Sequence, residues 1–220
     1  MVPVLQGPLV GKRWIVGSAT HGAWLGTYEY RKQRLFALSI QPGMVVFDLG
    51  ANVGFYTLVA AVRTGERGRV YAFEPVPRNL GFLRRHLDHN RVRNVEIVEA
   101  AVSDASGVAA FEDFGDPSMG RIGPAGHLQI RTVTLDEMVL EAGLPMPDVV
   151  KIDIEGGERN ALEGARRILD RRHPLIFLAT HGWQVHAACC ALLTGLGYAL
   201  TGVGGEAANE TDELVARFGS

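Results

Sequence analysis

The sequence has 220 residues, 47% of them hydrophobic and 21% charged, which excludes a disordered chain and fits one compact domain. Its formal net charge of −2 excludes the strong positive field that is typical of proteins with a nucleic-acid partner. The first residues lack the pattern of a signal peptide and no segment has the pattern of a membrane span, so we expect a cytoplasmic protein.

Five short apolar segments, rich in β-branched or aromatic residues, predict buried parallel strands. They are 45–49, 70–74, 95–100, 149–154 and 175–179. Segments of helical length and spacing lie between them, at 55–63, 79–87, 158–169 and 184–196. This alternation predicts an α/β fold built on a doubly wound, Rossmann-like parallel sheet with right-handed crossovers.

Residues 107–133 interrupt the alternation. Two alternating runs, 108–114 and 128–133, flank a segment rich in glycine and proline, which predicts antiparallel strands around an exposed loop at 116–126. A short helix is predicted from Asp136. Two closing strands follow at 199–203 and 213–218. We expect residues 1–220 to form one domain, in which an N-terminal segment, 1–41, caps a core, 42–220, that contains the 107–133 excursion.

A glycine turn after the first strand indicates a ligand site. Asp48 lies in that strand, and Gly50, Asn52 and Gly54 follow it at the sheet edge where ligands of α/β proteins bind. Asn52 stands where a dinucleotide site requires glycine. Glu74, at the end of the second strand, is placed to accept ribose hydroxyls; its alternative role is that of an acid at a helix start. Two acids without a basic residue favour an adenosine ligand that carries ammonium or sulfonium rather than phosphates.

A second group of polar residues is predicted at the same edge. Asp153 and Glu155 follow the fourth strand and share one face, because alternate side chains of a strand point the same way. Carboxylates this close repel each other unless a cation, a proton or a donor lies between them. His181 follows the adjacent fifth strand, where a structural role is the alternative to a catalytic one. Glu158 is explained by the helix dipole alone.

Three segments together resemble the FkbM family of S-adenosylmethionine-dependent methyltransferases: 47–57, the step Phe73-Glu74-Pro75, and 151–158. The resemblance covers roughly residues 26–198. It implies a class I methyltransferase fold, with a seven-stranded, mostly parallel sheet whose last strand is antiparallel, and S-adenosylmethionine as the cofactor. Carried over to this sequence, it places Asp48, Gly50, Asn52 and Gly54 around the methionine part, Glu74 on the ribose, and Ala101 and Ser103 beside the adenine. Asp104 becomes a candidate for binding the adenine amino group, and its alternative role is that of a turn acid.

The resemblance also implies methyl transfer to a hydroxyl of a sugar, glycolipid or polyketide. We expect His181 to be the general base, because an imidazole is better matched to neutral pH than a carboxylate. Asp153 would orient the imidazole or the hydroxyl, and Glu155 would bind a second hydroxyl. A divalent metal held by Asp153 and Glu155 is the competing mechanism.

Five residues are candidates for binding the acceptor: Trp24, Tyr28, Glu29, Lys32 and Trp183. Aromatic residues at these positions have an alternative role, which is to anchor the N-terminal segment to the sheet. We expect a small hydroxylated substrate and no nucleic-acid partner, and the sequence leaves the oligomeric state open. Two other functions remain open at this point: a nicotinamide-dependent oxidoreductase and a non-catalytic module that binds adenosylmethionine.

Overall fold

A computed structural model describes residues 1–112 and 120–219. Its strands are β1 (Val2–Pro3), β2 (Arg13–Trp14), β3 (Val45–Leu49), β4 (Arg69–Phe73), β5 (Val95–Val98), β6 (Ala101–Val102), β7 (Gly107–Glu112), β8 (Arg121–Ile122), β9 (Leu128–Val133), β10 (Val149–Ile152), β11 (Leu175–Ala179), β12 (Tyr198–Gly202) and β13 (Glu213–Phe218). Its α-helices are α1 (His21–Leu25), α2 (Tyr30–Ser39), α3 (Phe55–Thr64), α4 (Pro77–His89), α5 (Leu135–Leu140), α6 (Glu158–Glu163), α7 (Arg166–Arg172) and α8 (Trp183–Gly195). A short 3-10 turn, Ala208–Glu210, precedes β13.

The central sheet has seven strands in the order β12-β13-β11-β10-β3-β4-β5. Strands β11, β10, β3, β4 and β5 pair in parallel, and β13 runs antiparallel to both of its neighbours, β11 and β12. The predicted α/β fold with an antiparallel last strand is therefore confirmed. From β3 the chain passes to β4 on one side of β3, and it later returns to β10 on the other side. The strand order therefore switches at β3, and a crevice opens at the carboxyl ends of β10, β3 and β4.

Apolar side chains cover both faces of the sheet. Residues of α2, α3 and α4 form the core on one face, and residues of α5, α6, α7 and α8 form the core on the other. Strand β3 shows the alternation that this requires, because Val46 packs on the first face and Phe47 on the second. Each such fully buried side chain stabilises the fold by about 1.5–3 kcal/mol.

The single helix predicted at 158–169 is wrong, because the chain breaks there into α6 and α7. Gly164 lies between them, and a Cβ at this residue would stand 2.1 Å from the carbonyl oxygen of Ser103. The carboxylate of Asp136 accepts hydrogen bonds from two backbone N–H groups in the first turn of α7. The close backbone contact at Gly164 therefore ends α6, and the carboxylate of Asp136, which is distant in the sequence, caps the start of α7.

The 107–133 excursion forms a separate four-stranded sheet of order β6-β9-β7-β8. The antiparallel pair β7–β9 confirms the predicted strands at this place, although residues 113–119 lie outside the described part of the chain. The strand predicted at 95–100 ends at Val98, and the following residues form β6, which pairs with β9. The short helix predicted from Asp136 is α5.

The N-terminal segment packs on the core through an imidazole. Trp14 stacks on His86 with ring centroids 4.0 Å apart. His86 Nε2 accepts a hydrogen bond from the backbone N–H of Ile15, and its Nδ1 donates to the carbonyl of Val53. Burial lowers the pKa of His86 to about 4, so the ring is neutral and can both donate and accept.

Among the described residues, no helix combines the length and the apolar character needed to cross a membrane.

Candidate active site

A cavity of about 560 Å³ opens at the carboxyl ends of β3, β4 and β10, and the N-terminal segment supplies one of its walls. Nine of the residues predicted from the sequence line it: Tyr28, Glu29, Gly50, Asn52, Glu74, Ala101, Asp153, Glu155 and His181. The other predicted residues do not line it: Trp24, Lys32, Asp48, Gly54, Ser103, Asp104 and Trp183. Both predicted groups of polar residues therefore share one cavity.

The turn after β3 brings backbone to the cavity. Gly50 and Asn52 have positive φ angles of 74° and 49°. A Cβ at Gly50 would lie 2.0 Å from the carbonyl oxygen of Asp153, so this turn packs directly against the segment that follows β10. Gly54 precedes α3, where a Cβ would meet the side chain of Leu83 at 2.5 Å. Glycine is required at position 50 by its φ angle and by the backbone contact, and at position 54 by its φ angle of 97°.

Glu74 is held at the end of β4 by three donors. Its Oε2 accepts from the backbone N–H of Asn52 at 2.8 Å, and its Oε1 accepts from the N–H of Val76 at 2.9 Å and from Nδ2 of Asn79 at 3.3 Å. Burial raises the pKa of the carboxyl group, and these hydrogen bonds oppose that shift. The carboxylate is thus fixed against the glycine turn with lone pairs left for ligand hydroxyls.

Asp48 lies beneath the cavity and is fully buried. Its Oδ2 accepts from Thr57 Oγ1 at 2.6 Å, and its Oδ1 lies 3.2 Å from Nζ of Lys151. Burial disfavours the Lys151 ammonium, yet Asp48 and Asp153 raise its pKa overall. No role for Lys151 was predicted from the sequence. A lysine in an otherwise apolar strand was the available signal that it has a buried partner, and the parallel pairing of β10 with β3 sets Lys151 beside Asp48.

A second buried lysine joins the N-terminal segment to the site. Lys32, on α2, is 3% exposed, and its Nζ lies 2.8 Å from Glu213, 3.2 Å from Glu29 and 3.6 Å from Asp153. Burial alone would lower the pKa of Lys32, but Asp153, Glu213 and Glu29 raise it above its ordinary value. Burial disfavours the ionised form of Asp153, and Lys151 and Lys32 outweigh it, so the pKa of this carboxyl is lowered. Glu213, which was not predicted as a site residue, also lines the cavity.

His181 lies among three carboxylates. Its Nδ1 donates to Oε1 of the fully buried Glu158 at 2.8 Å, and its Nε2 lies 3.5 Å from Glu155 and 3.8 Å from Asp153. The hydrogen bond to Glu158 outweighs burial and raises the pKa of His181 to about 9. The imidazole is therefore protonated at neutral pH. Glu158, which the helix dipole seemed sufficient to explain, sets the orientation and charge of this ring.

The same group has the donor atoms of a metal site. One atom each of Asp153, Glu155 and His181 lie within 4.8 Å of one another. Two carboxylates and one imidazole suit magnesium, manganese or zinc. In such a site the ring would bind through Nε2 while Nδ1 stays hydrogen-bonded to Glu158, an arrangement that orients histidine ligands in proteins.

The candidate acceptor residues are divided by the fold. Tyr28 packs edge-on against Phe55 and lines the cavity, and Glu29 accepts a hydrogen bond from Tyr56 Oη at 2.7 Å. Trp183 is 76% exposed, and Trp24 packs beside His21, both outside the cavity. On the opposite side, Ser103 donates to Asp104 at 3.0 Å, next to the lining residue Ala101.

Comparison with known proteins places these motifs in one family. The family described as "Methyltransferase FkbM domain" matches residues 48–200. Hexuronic acid methyltransferase AglP of Haloferax volcanii is 29% identical over 138 residues, covering 62% of this chain and 56% of AglP. The 31-O-demethyl-FK506 methyltransferase FkbM of Streptomyces tacrolimicus is 26% identical over 161 residues, covering 58% of this chain and 61% of its own. This chain thus spans somewhat more than half the length of these relatives.

Solved structures support the same fold. The methyltransferase FkbM of Methylobacillus flagellatus KT superposes with a TM-score of 0.58 at 18% identity, covering 91% of this chain and 56% of that one. Fibrillarin of Aeropyrum pernix, solved with bound S-adenosyl-L-methionine, superposes with a TM-score of 0.51 at 14% identity, covering 83% and 72%. At such identities the likeness establishes the class I methyltransferase fold.

Proposed function

The chain belongs to the FkbM family of S-adenosylmethionine-dependent methyltransferases, and we propose from this premise that it methylates a hydroxyl of a sugar, glycolipid or polyketide. The observation that carries the proposal is the position of the Asp153–Glu155–His181 group. It adjoins the Gly50 turn in a single cavity, so a methyl donor on the turn and an acceptor hydroxyl at the group would meet.

The cofactor would lie along the edge from Gly50 to Ala101. The methionine part would contact the turn at Gly50 and Asn52, with Gly54 shaping the helix start and Asp48 supporting the turn through Lys151. Glu74 would accept the ribose hydroxyls. The adenine would lie at the Ala101 end of the cavity, where Phe111 and Ile122 also line the wall. Its amino group would have to reach Ser103 and Asp104 from that end.

When bound, S-adenosylmethionine would supply the methyl group for an in-line displacement, in which the acceptor oxygen bonds to the methyl carbon while the carbon–sulfur bond breaks and its electron pair leaves with sulfur as a neutral thioether. Nε2 of neutral His181 would accept the hydroxyl proton. Because the pKa of His181 is about 9, the neutral fraction is small at pH 7 and grows with pH. Asp153 would orient the hydroxyl, and Glu155 would bind a neighbouring hydroxyl.

A divalent cation at Asp153, Glu155 and His181 is the competing way to activate the hydroxyl, since a bound cation lowers its pKa. The two mechanisms differ in their response to a chelator. Activity that survives dialysis against EDTA would exclude the mechanism with a cation. Activity that is lost on dialysis and restored only by magnesium or manganese would show that a bound cation activates the hydroxyl and would remove His181 as the base.

The proposal is tested in two steps. Calorimetry with S-adenosylhomocysteine and with NAD separates a methyltransferase from the oxidoreductase considered above, and we expect binding of the first only. A panel of sugars, nucleotide sugars and hydroxylated natural products is then screened for release of S-adenosylhomocysteine. Cofactor binding without turnover of any acceptor would favour a non-catalytic module and would refute the proposed transfer.

A further inference from the structure

The acceptor end of the cavity, defined by Glu29, Asp153, Glu155, His181 and Glu213, carries an excess of carboxylates. Four of these five residues are acids, and all five line the cavity. Two of the acids come from outside the motifs that follow the strands: Glu29 precedes α2, and Glu213 begins β13. The negative character of this end is therefore built from several separate elements.

The cations near this end do not balance it. Lys151 lies 3.2 Å from the buried Asp48 and 3.9 Å from Asp153, and the ring of His181 lies 2.8 Å from the buried Glu158, 3.5 Å from Glu155 and 3.8 Å from Asp153. Lys32 is shared by Glu29, Asp153 and Glu213. Among the described residues in these ion pairs, three basic side chains therefore face the four acids of the cavity together with Asp48 and Glu158. Arg78 also lines the cavity, but it lies on α4 beside Glu74, and its guanidinium contacts Asn79 and Phe82.

The sulfonium of S-adenosylmethionine would bring a positive charge to this end, which still leaves carboxylates in excess. Ionised carboxylates are acceptors only, so they suit a ligand rich in donors, such as a polyol or an ammonium group. A carboxylate or phosphate on the acceptor would face like charges in a partly buried cavity, where solvent screens little.

We propose that the acceptor is a neutral or amine-bearing polyol whose reacting hydroxyl has donor groups beside it, and that acceptors with an anionic group at this place are rejected. This inference rests on the proposed function, because it concerns the same cavity. It separates this chain from its relative AglP, whose name describes a hexuronic acid methyltransferase. Glu29 and Glu213 would be the residues that set this selectivity.

The experiment uses matched acceptors that share a sugar ring and differ in charge through the group at C6. Methyl glycosides of glucose, mannose and galactose are each prepared in three forms: 6-hydroxy, 6-amino-6-deoxy and 6-carboxylate. Binding is measured by saturation-transfer NMR with saturating S-adenosylhomocysteine, and turnover by S-adenosylhomocysteine release, each with EDTA and with magnesium. We expect the carboxylate form to bind at least about 10-fold more weakly than the hydroxy form, with the amino form equal or better.

The inference would be overturned if a carboxylate form had a dissociation constant less than threefold above that of its hydroxy form, or below it, with magnesium or without it. Binding of no neutral or amino form would overturn it as well. Neutral forms that bind selectively without turnover would leave the inference standing and would refute the proposed methyl transfer, so the two failures are distinguishable.

Two variants connect the selectivity to the named residues. Glu213→Gln and Glu29→Gln should each narrow the binding ratio of hydroxy to carboxylate forms by threefold or more, and either one suffices if the other does not fold. Glu206→Gln is the matched control, because this acid pairs with Arg31 outside the cavity. An unchanged ratio in both cavity variants, or an equal change in Glu206→Gln, would refute the assignment.

Discussion

Replacing Lys32 with methionine tests whether the buried charge network holds the N-terminal segment on the sheet. The substitution keeps an unbranched apolar side chain but removes an ammonium that lies within 3.6 Å of three carboxylates. Removing one partner of a buried ion pair typically costs about 3–5 kcal/mol. The three acids are 20–32% exposed and can regain some water, so we expect about 3 kcal/mol, at the lower end of that range.

The matched control is Arg31→Met, on the same helix. Arg31 is 77% exposed and pairs with Glu206 at 3.6 Å, and surface pairs of this kind contribute about 0–1 kcal/mol. Both free energies of unfolding are measured by urea denaturation at pH 7 and at pH 5. Burial already raises the pKa of Glu213, and Lys32 opposes that shift and helps to lower the pKa of Asp153. Without Lys32 both pKa values rise, so protonation relieves more of the destabilisation as pH falls. Equal effects of the two substitutions at pH 7 would refute the reasoning.

Three further predictions concern the cavity and its supports. Glu74→Gln turns an acceptor into an NH₂ donor beside backbone N–H groups, so the affinity for S-adenosylhomocysteine should fall at least about 10-fold in calorimetry; an unchanged affinity would contradict the ribose assignment. His181→Ala should lower kcat by about 10² with the cofactor affinity unchanged, and the wild-type rate should rise with pH towards about 9; a rate that the substitution does not alter would remove His181 as the base. His86 is neutral in the native state, with a pKa of about 4 against an ordinary 6.5, so stability should fall as pH drops from 6.5 towards 4. We expect a loss of about 1–2 kcal/mol between pH 7 and pH 5 in urea unfolding, and His86→Gln should flatten this dependence if the assignment is right.

The sheet could be predicted because its strands are buried on both faces. Strand 175–179 is a continuous apolar run, and strand 45–49 is apolar except for Asp48, so the alternating α/β pattern predicts a buried strand for both. The observed bounds agree with the prediction. Because parallel strands have their carboxyl ends at one edge of the sheet, the sequence was enough to predict that Asp153, Glu155 and His181 lie close together. All three residues line one cavity.

The N-terminal helices could not be predicted from the same pattern. Helix α2 buries Lys32 and Gln33 beside Phe36 and Ala37, so its buried face is half polar and has no apolar stripe. From the sequence alone, a lysine is predicted to be solvent-exposed unless its charged partners are known. Two of those partners, Asp153 and Glu213, are distant in the sequence, and local periodicity carries no information about them.

The pairing of Lys32 with Glu213 joins positions 181 residues apart. Strand β13, which begins at Glu213, enters the sheet between β11 and β12, both of which precede it in the chain. On the ribosome, therefore, helix α2 with Lys32 emerges long before Glu213, the acid that neutralises the Lys32 ammonium. A nascent polypeptide would leave this ammonium without its nearest counter-ion until the final strand inserts. The cavity therefore acquires Glu213, and with it the full set of its lining charges, only after β13 has been synthesised and has entered the sheet.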